Sequence, residues 1–323
     1  MANPYAIGID LGGTFIKSAL VDYQGQIAVR KEIPTHANAG FPAVVAQLRD
    51  LTQQLVDTAE KTRGTVVGAC IATPGLVDFK TGFVRFAPNF AGWKDVPLLP
   101  EMQKGFSFPY YIENDANAAA YGEKWIGAGK DNQTVIVLTI GTGIGGGLIF
   151  DGKVWHGADG AGGEPGHINL FPDGMLCGCG NYGCLEAHAS ATGIVKRTIR
   201  AIESGESTKI TEMAKNDLSQ ITSKLVCEAA VAGDKLARKI MLETGKYLGI
   251  GIASLINLLN PEMVILGGGV MKARDWLLIP AREEVKKRAF KFLVKQTPIV
   301  LAKLGNDAGI IGAAGEVFAN AKP

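Results

Sequence analysis

One pattern occurs twice in this chain and restricts its fold more than any other feature. Residues 5–33 read as a buried strand from Tyr5 to Asp10, a tight turn at Leu11–Gly13, a strand over Phe15–Val21, the turn Asp22-Tyr23-Gln24-Gly25 and a strand over Ile27–Ile33. Residues 134–156 repeat it: a strand over Thr134–Ile140, the turn Gly141-Thr142-Gly143, a strand over Gly147–Phe150, the hairpin signal Asp151-Gly152 and a third strand over Lys153–His156. Two copies this far apart indicate two similar lobes, because a solenoid repeats every ~20–50 residues. The length agrees: 323 residues make about two domains at roughly 150 residues each.

Around the two copies, strands alternate with helices. Val44, Leu48, Leu51 and Leu55 recur at three- and four-residue intervals, as on a helix with one apolar face. Thr65–Ala72 reads as a strand stopped by Thr73-Pro74-Gly75. Phe108–Glu113 is another strand, and Asn114-Asp115 suits the start of an Ala-rich helix running toward Trp125. The second half contains a long helix around Lys235–Leu259, the strand Met263–Leu266, a glycine triplet, a charged helix near Pro280–Phe290 and a last helix after Asp307. The class is α/β.

Composition removes several functions. Lys+Arg 33 against Asp+Glu 31 leaves a net charge of +2, with no basic stripe for nucleic acid or an anionic membrane. The most apolar run, Tyr247–Leu259, contains Ser254 and Asn257 and is shorter than the ~20 residues of a membrane span. The first residues show neither a basic start nor a long apolar run, so a cytoplasmic protein is expected, with no membrane or nucleic-acid partner. Glycine is 42 of 323 residues, nearly twice the usual ~7 %. Its apolar settings point to backbone pressed against ligands.

Gly141–Gly146 formally fits G-x-G-x-x-G, but a strand follows where a dinucleotide fold needs a helix. Gly147–Lys153 imitates a P-loop, yet Val154 stands where a hydroxyl must meet Mg²⁺. A β-hairpin cradle is the better account: glycine N–H groups approach phosphate oxygens, and Thr14 and Thr142 add hydroxyl donors. Asp10 is placed to hold Mg²⁺ through water, with Lys17 as a nearby point charge. Gly267, Gly268 and Gly269 form a third glycine element. The competing account is that glycines merely permit tight hairpins.

Cys177, Cys179 and Cys184 crowd together, with His167 upstream. Three thiolates and one imidazole make a closed tetrahedral Zn²⁺ site with no open position, hence a structural one. A redox pair is disfavoured because the spacing is Cys-x-Cys. Cys70 and Cys227 stand alone, and His36, His156 and His188 are expected to be ordinary surface or core histidines. Asp115 is a candidate general base at a strand-to-helix junction, although a simple capping role fits equally well.

Asp10-Leu11-Gly12-Gly13-Thr14 with Lys17, and the second copy at Gly141–Gly146, resemble the phosphate loops of the actin, sugar-kinase and heat-shock ATPase superfamily. Cys-x-Cys-Gly-x-x-Gly-Cys-x-Glu over Cys177–Glu186, preceded by Glu164-Pro165-Gly166-His167, resembles the zinc signature of the ROK family, which contains bacterial sugar kinases and some transcriptional repressors. The likeness covers essentially the whole chain. It implies a two-lobed actin-like (ribonuclease H-like) ATPase fold with an interlobe cleft, one lobe of residues 1–114 plus 308–323 and a larger one of 115–307 carrying the zinc loop.

It further implies ATP, Mg²⁺ and structural Zn²⁺, with nucleotide contacts at Asp10, Gly12, Gly13, Thr14, Lys17, Gly141, Thr142, Gly143, Gly267, Gly268 and Gly269. Sugar contacts fall on Asn89, Asn114, Asp115, Glu164, His167 and Glu186, with Asp115 accepting the proton of a hexose 6-hydroxyl. Pro88-Asn89-Phe90-x-x-Trp93 looks most like the glucose-specific members, while N-acetylmannosamine, N-acetylglucosamine and fructose kinases stay open. A sugar-responsive repressor is disfavoured, since the first motif begins at Asp10. A homodimer is the family expectation.

Overall fold

A computed structural model describes residues 3–87 and 89–321. Along the chain its elements are β1 (Asn3–Leu11), β2 (Phe15–Asp22), β3 (Ile27–Pro34), α1 (Phe41–Lys61), β4 (Gly64–Thr73), β5 (Leu76–Asp78), β6 (Phe83–Phe86), β7 (Lys94–Val96), α2 (Leu98–Gln103), β8 (Tyr110–Asn114) and α3 (Asp115–Trp125). Then come β9 (Val135–Ile140), β10 (Ile144–Phe150), β11 (Lys153–Val154), α4 (Leu185–Ala189), α5 (Ala191–Glu203), α6 (Ile210–Met213), α7 (Ser223–Val231) and α8 (Lys235–Leu259). The chain closes with β12 (Met263–Gly267), α9 (Asp275–Arg288), α10 (Lys291–Gln296), β13 (Ile299–Leu301) and α11 (Ala308–Asn320).

The duplication is visible as two five-stranded sheets, of order β3-β2-β1-β4-β8 and β11-β10-β9-β12-β13. In the first, β1 pairs antiparallel with β2, placing Asp10 opposite Lys17, and parallel with β4, which in turn pairs parallel with β8. In the second, β12 runs parallel to both β9 and β13. A small antiparallel sheet, β5-β6-β7, was not foreseen, since three- and four-residue strands leave too short a period to read.

The chain divides into two compact units, one of residues 1–134, 147–163 and 302–323, the other of 135–146 and 164–301. The expected division at 114/115 differs from this because α3 packs along α11: Gly122 and Gly312 face each other and bring the two helix backbones together. In the first unit the apolar stripe of α1 is buried as its spacing predicts, with Val44, Leu48 and Leu55 fully inaccessible against Ile7, Ile9 and Leu20 of the sheet. In the second, α8 starts where the Asp234 side chain accepts the Ala237 N–H and ends at Asn260, whose φ of 45° is left-handed.

Three boundaries moved. Strand β10 begins at Ile144 and not at Gly147, because its first N–H is held by the Glu186 carboxylate. The third strand of the second copy shrinks to Lys153–Val154. Helix α9 begins at Asp275 and carries Pro280 inside it, opposite Gly245 of α8, where the ring finds room. Among the described residues no helix is long and apolar enough to cross a membrane.

On α11, Glu316 turns into the first unit. Burial and the nearby charge of Glu113 push its carboxyl up to about 8, partly offset by His156. The folded state then binds a proton that the unfolded chain releases near its ordinary value of 4.5. Stability is therefore expected to fall as pH rises across that interval, by on the order of a few kcal/mol. Urea midpoints at about pH 5 and about pH 9 measure it; Glu316→Gln should flatten the slope, and an equal slope in that variant would remove Glu316 as the cause.

Candidate active site and metal cluster

In the first unit, Asp10 ends β1, Gly12 and Gly13 form the turn, Thr14 is exposed and Lys17 faces back from β2. The turn is closed by Gly12 N–H to the Phe15 carbonyl at 3.0 Å and tied to the next strand by the Thr35 hydroxyl, which donates to the Gly12 carbonyl at 2.7 Å. Gly13 lies against Asn89: a β-carbon at position 13 would stand 3.0 Å from the Asn89 Cβ. The motif's Pro88 lies outside the described residues, and Asn89 is exposed.

Asn114 caps α3. Its Oδ1 accepts the N–H groups of Ala116 (2.9 Å) and Asn117 (3.1 Å), while its Nδ2 donates to the Gly75 carbonyl at 3.2 Å. The capping role open for Asp115 on sequence thus falls to its neighbour, and Asp115 accepts from Ala116 N–H, at 2.9 Å. Burial holds the Asp115 carboxyl above the ordinary aspartate value. Asp10 is pushed up to about 6, by burial first and by the charge of Asp115 second, with Lys17 opposing. Two half-buried carboxylates, one of them raised by the charge of the other, suit a divalent cation, which relieves both burial and repulsion.

In the second unit, His167, Cys177, Cys179 and Cys184 each offer a ligand atom, and these atoms lie within 4.8 Å of one another. Cys179 Sγ is 3.7 Å from Cys184 Sγ, and Cys177 Sγ is 3.7 Å from His167 Nδ1. Zn–S bonds of about 2.3 Å in a tetrahedron place sulfurs about 3.8 Å apart, so the donor set fits zinc as it stands. Burial pushes the Cys177 thiol up to about 12, whereas the Asn181 N–H lowers Cys179. A buried thiol ionises only with a cation to compensate it, which a Zn²⁺ ion supplies.

Glu186 sits in the first turn of α4 between this cluster and the second glycine turn: Oε2 accepts Ile144 N–H at 2.9 Å, and Oε1 accepts from the Cys177 thiol at 3.3 Å. Glu164 is exposed and opens the short turn Pro165–His167. The His167 N–H donates to the Glu164 carbonyl at 3.1 Å. Gly141, Thr142 and Gly143 lie between β9 and β10, and Thr192 and Ala191 at the start of α5 bond the carbonyls of Thr142 and Gly141. Gly267 ends β12, and Gly268 has φ +89°, with the Ile140 carbonyl 2.3 Å from where a β-carbon would go. No other residue fits there.

Gly141, Thr142 and Gly269 also line a cavity of about 620 Å³ with Ile194, Met241 and Lys272. A space of this size, walled mostly by apolar groups and opening on glycine backbone, is adequate for a nucleoside. Sequence reasoning found its glycine rim but missed Ile194, Cys227, Met241 and Lys272, which come from separate helices and carry no local signal. It also missed His156, expected to be ordinary. Its Nε2 lies 2.7 Å from the carboxylate of Glu113, and that partner raises its pKa against the lowering effect of burial.

The chain matches the family model described as "ROK family" over residues 6–318. It is 38 % identical to a glucokinase of Halalkalibacterium halodurans over 97 % of this chain and 94 % of that protein. It is 32 % identical to a xylose repressor of Caldicellulosiruptor bescii, over 97 % of this chain and 78 % of the repressor. The crystal structure of a ROK family glucokinase from Streptomyces griseus in complex with glucose and AMPPNP superposes with a TM-score of 0.78, at 33 % identity, over 98 % of this chain and all of that one.

Proposed function

Because the chain belongs to the ROK family, we propose that it is an ATP-dependent hexokinase that transfers phosphate to the 6-hydroxyl of D-glucose, giving glucose 6-phosphate. The observation that carries the reading is Asp115: a half-buried carboxylate relieved of capping by Asn114, beside Asp10 and in the same unit as the first glycine turn. Asp115 accepts the proton of the sugar hydroxyl as phosphate is transferred. Burial holds its pKa above that of an exposed aspartate, which makes its ionised form the stronger base.

Asn89, Asn114, Glu164, His167 and Glu186 are assigned to the ring hydroxyls, whose recognition needs paired donors and acceptors. His167 presents Nδ1 to the thiols, which leaves its other nitrogen for the sugar. Gly12, Gly13, Thr14 and Lys17 of the first unit, and Gly141, Thr142, Gly143, Gly267, Gly268 and Gly269 of the second, are assigned to the nucleotide as donors and open backbone. Asp10 would hold Mg²⁺ through water. When bound, the ion neutralises charge on the transferring phosphoryl group. A cytoplasmic homodimer is part of the reading, supported by family resemblance, and light scattering tests the dimer.

A buried acceptor left unpaired costs about 1–3 kcal/mol, so a sugar lacking or inverting a recognised hydroxyl should lose roughly tenfold or more in kcat/KM. A coupled assay across glucose, fructose, N-acetylglucosamine and N-acetylmannosamine tests this. Glucose is expected to lead. A higher kcat/KM for an N-acetylhexosamine would keep the mechanism and reassign the substrate.

A further inference from the structure

Behind Asp115 lies a polar cluster that phosphoryl transfer, as described, does not use. Glu113 is the next-to-last residue of β8, and its side chain is 4 % exposed. Both oxygens of this carboxylate meet polar partners. Oε1 takes the backbone N–H of Asn114 at 2.8 Å and the Nδ2 of Asn117 at 3.1 Å, and Oε2 meets His156 Nε2 at 2.7 Å. Two of these donors belong to the first turn of α3. That turn is therefore gripped twice, from outside by the Asn114 side chain and from beneath by Glu113. Asp115 sits between the two grips.

His156 is itself held. Its ring lies on Phe79, with centroids 4.0 Å apart, and its carbonyl accepts the Gly162 N–H at 3.0 Å. We propose that His156 is a positioning residue for phosphoryl transfer: through the Glu113 carboxylate it fixes the first turn of α3, and with it the orientation of the Asp115 carboxylate. The proposal rests on the reading of Asp115 as general base. The physical reason is the cost of a buried carboxylate with an empty oxygen. Without the ring nitrogen, Glu113 must rotate to find another partner, and that rotation weakens the Asn114 and Asn117 bonds made by its other oxygen.

The cluster also sets a charge. His156 is faced by Glu113 from β8 and by Glu316 from α11, and Glu316 is near Tyr121 of α3 and Cys70 of β4. Removal of the imidazole takes from Glu113 the partner that its Oε2 meets at 2.7 Å, with the Glu316 carboxyl still nearby.

The test compares parent, His156→Ala and His156→Gln as full-length, zinc-loaded protein in hexose phosphorylation from about pH 5.5 to about pH 9.5. A base displaced by a fraction of an ångström to 1 Å loses up to ~100-fold in rate. His156→Ala should therefore lower kcat by about ten- to a hundredfold, with KM for sugar and ATP changed less than about threefold. Gln places an N–H donor near the position of Nε2 and should recover most of kcat. A kcat for His156→Ala within about twofold of the parent overturns the proposal, as does a His156→Gln variant no faster than His156→Ala.

If His156→Ala does not fold, the Gln variant and Glu113→Gln carry the same comparison of kcat with pH. A double-mutant cycle separates the two assignments. In an Asp115→Asn background, His156→Ala should cost nothing further. If Asp115→Asn alone keeps nearly full rate, the base assignment fails. If it is slow and His156→Ala still exacts its full factor, the positioning role fails while the base stands.

Discussion

Asp115→Asn is expected to slow phosphoryl transfer by about 10²–10⁴, the usual weight of a general base, while leaving fold and sugar affinity largely intact. The fold should survive because the helix is capped elsewhere. Asn114 takes two of the unsatisfied N–H groups at the start of α3, and the bond that Asp115 accepts from Ala116 N–H can be kept by an asparagine oxygen. Sugar binding, followed by tryptophan fluorescence or calorimetry, should change little, since an amide fills the same space. Turnover within about tenfold of the parent would remove Asp115 from the mechanism. The variant should also lose the acid limb, because its side chain no longer titrates.

Loss of zinc should have the larger effect on stability. One Zn²⁺ per chain is expected from protein purified without added metal, and structural zinc contributes an apparent ~10–16 kcal/mol in small domains. A larger unit retains part of its fold through its own core, so the expected result is local. Chelation, or Cys184→Ser at a fully buried ligand, should lower the melting temperature and sharply reduce sugar affinity together. The two are linked through His167 and Glu186. The first donates a ligand nitrogen, and the second spans from Cys177 to the N–H of Ile144 on the second glycine turn. Cys70→Ser, at a buried thiol in the other unit, is the control and should leave the metal in place. Active protein shown by elemental analysis to lack zinc would overturn the assignment.

Much of this was legible before any coordinates. The two strand–glycine turn–strand copies appear as two five-stranded sheets, and the helix read from Val44, Leu48, Leu51 and Leu55 buries that stripe. The three cysteines and His167 meet as their spacing implied. Short elements were harder to read. Strands β5, β6 and β7 have too few residues for alternation to stand out, and the five-residue α4 and four-residue α6 have no side-chain cap to mark them. Pro280 was taken as a helix start, because a proline is best tolerated in the first turn; packing against Gly245 overrode that preference.

The sequence by itself determined whatever depends on neighbours along the chain: hairpin turns, the metal loop, a helix start at Asn114-Asp115 and the periodicity of α1. These are local because a glycine turn, a chelating loop or a helix face is specified by residues a few positions apart. Tertiary structure alone decided which carboxylates are buried and what faces them. Asp10 beside Asp115, and Glu113 against His156 with Glu316 near, are encounters between segments tens to hundreds of residues apart. A carboxylate's protonation and orientation follow from burial, opposite charge and donors in space, none of which leaves a trace in the residues beside it.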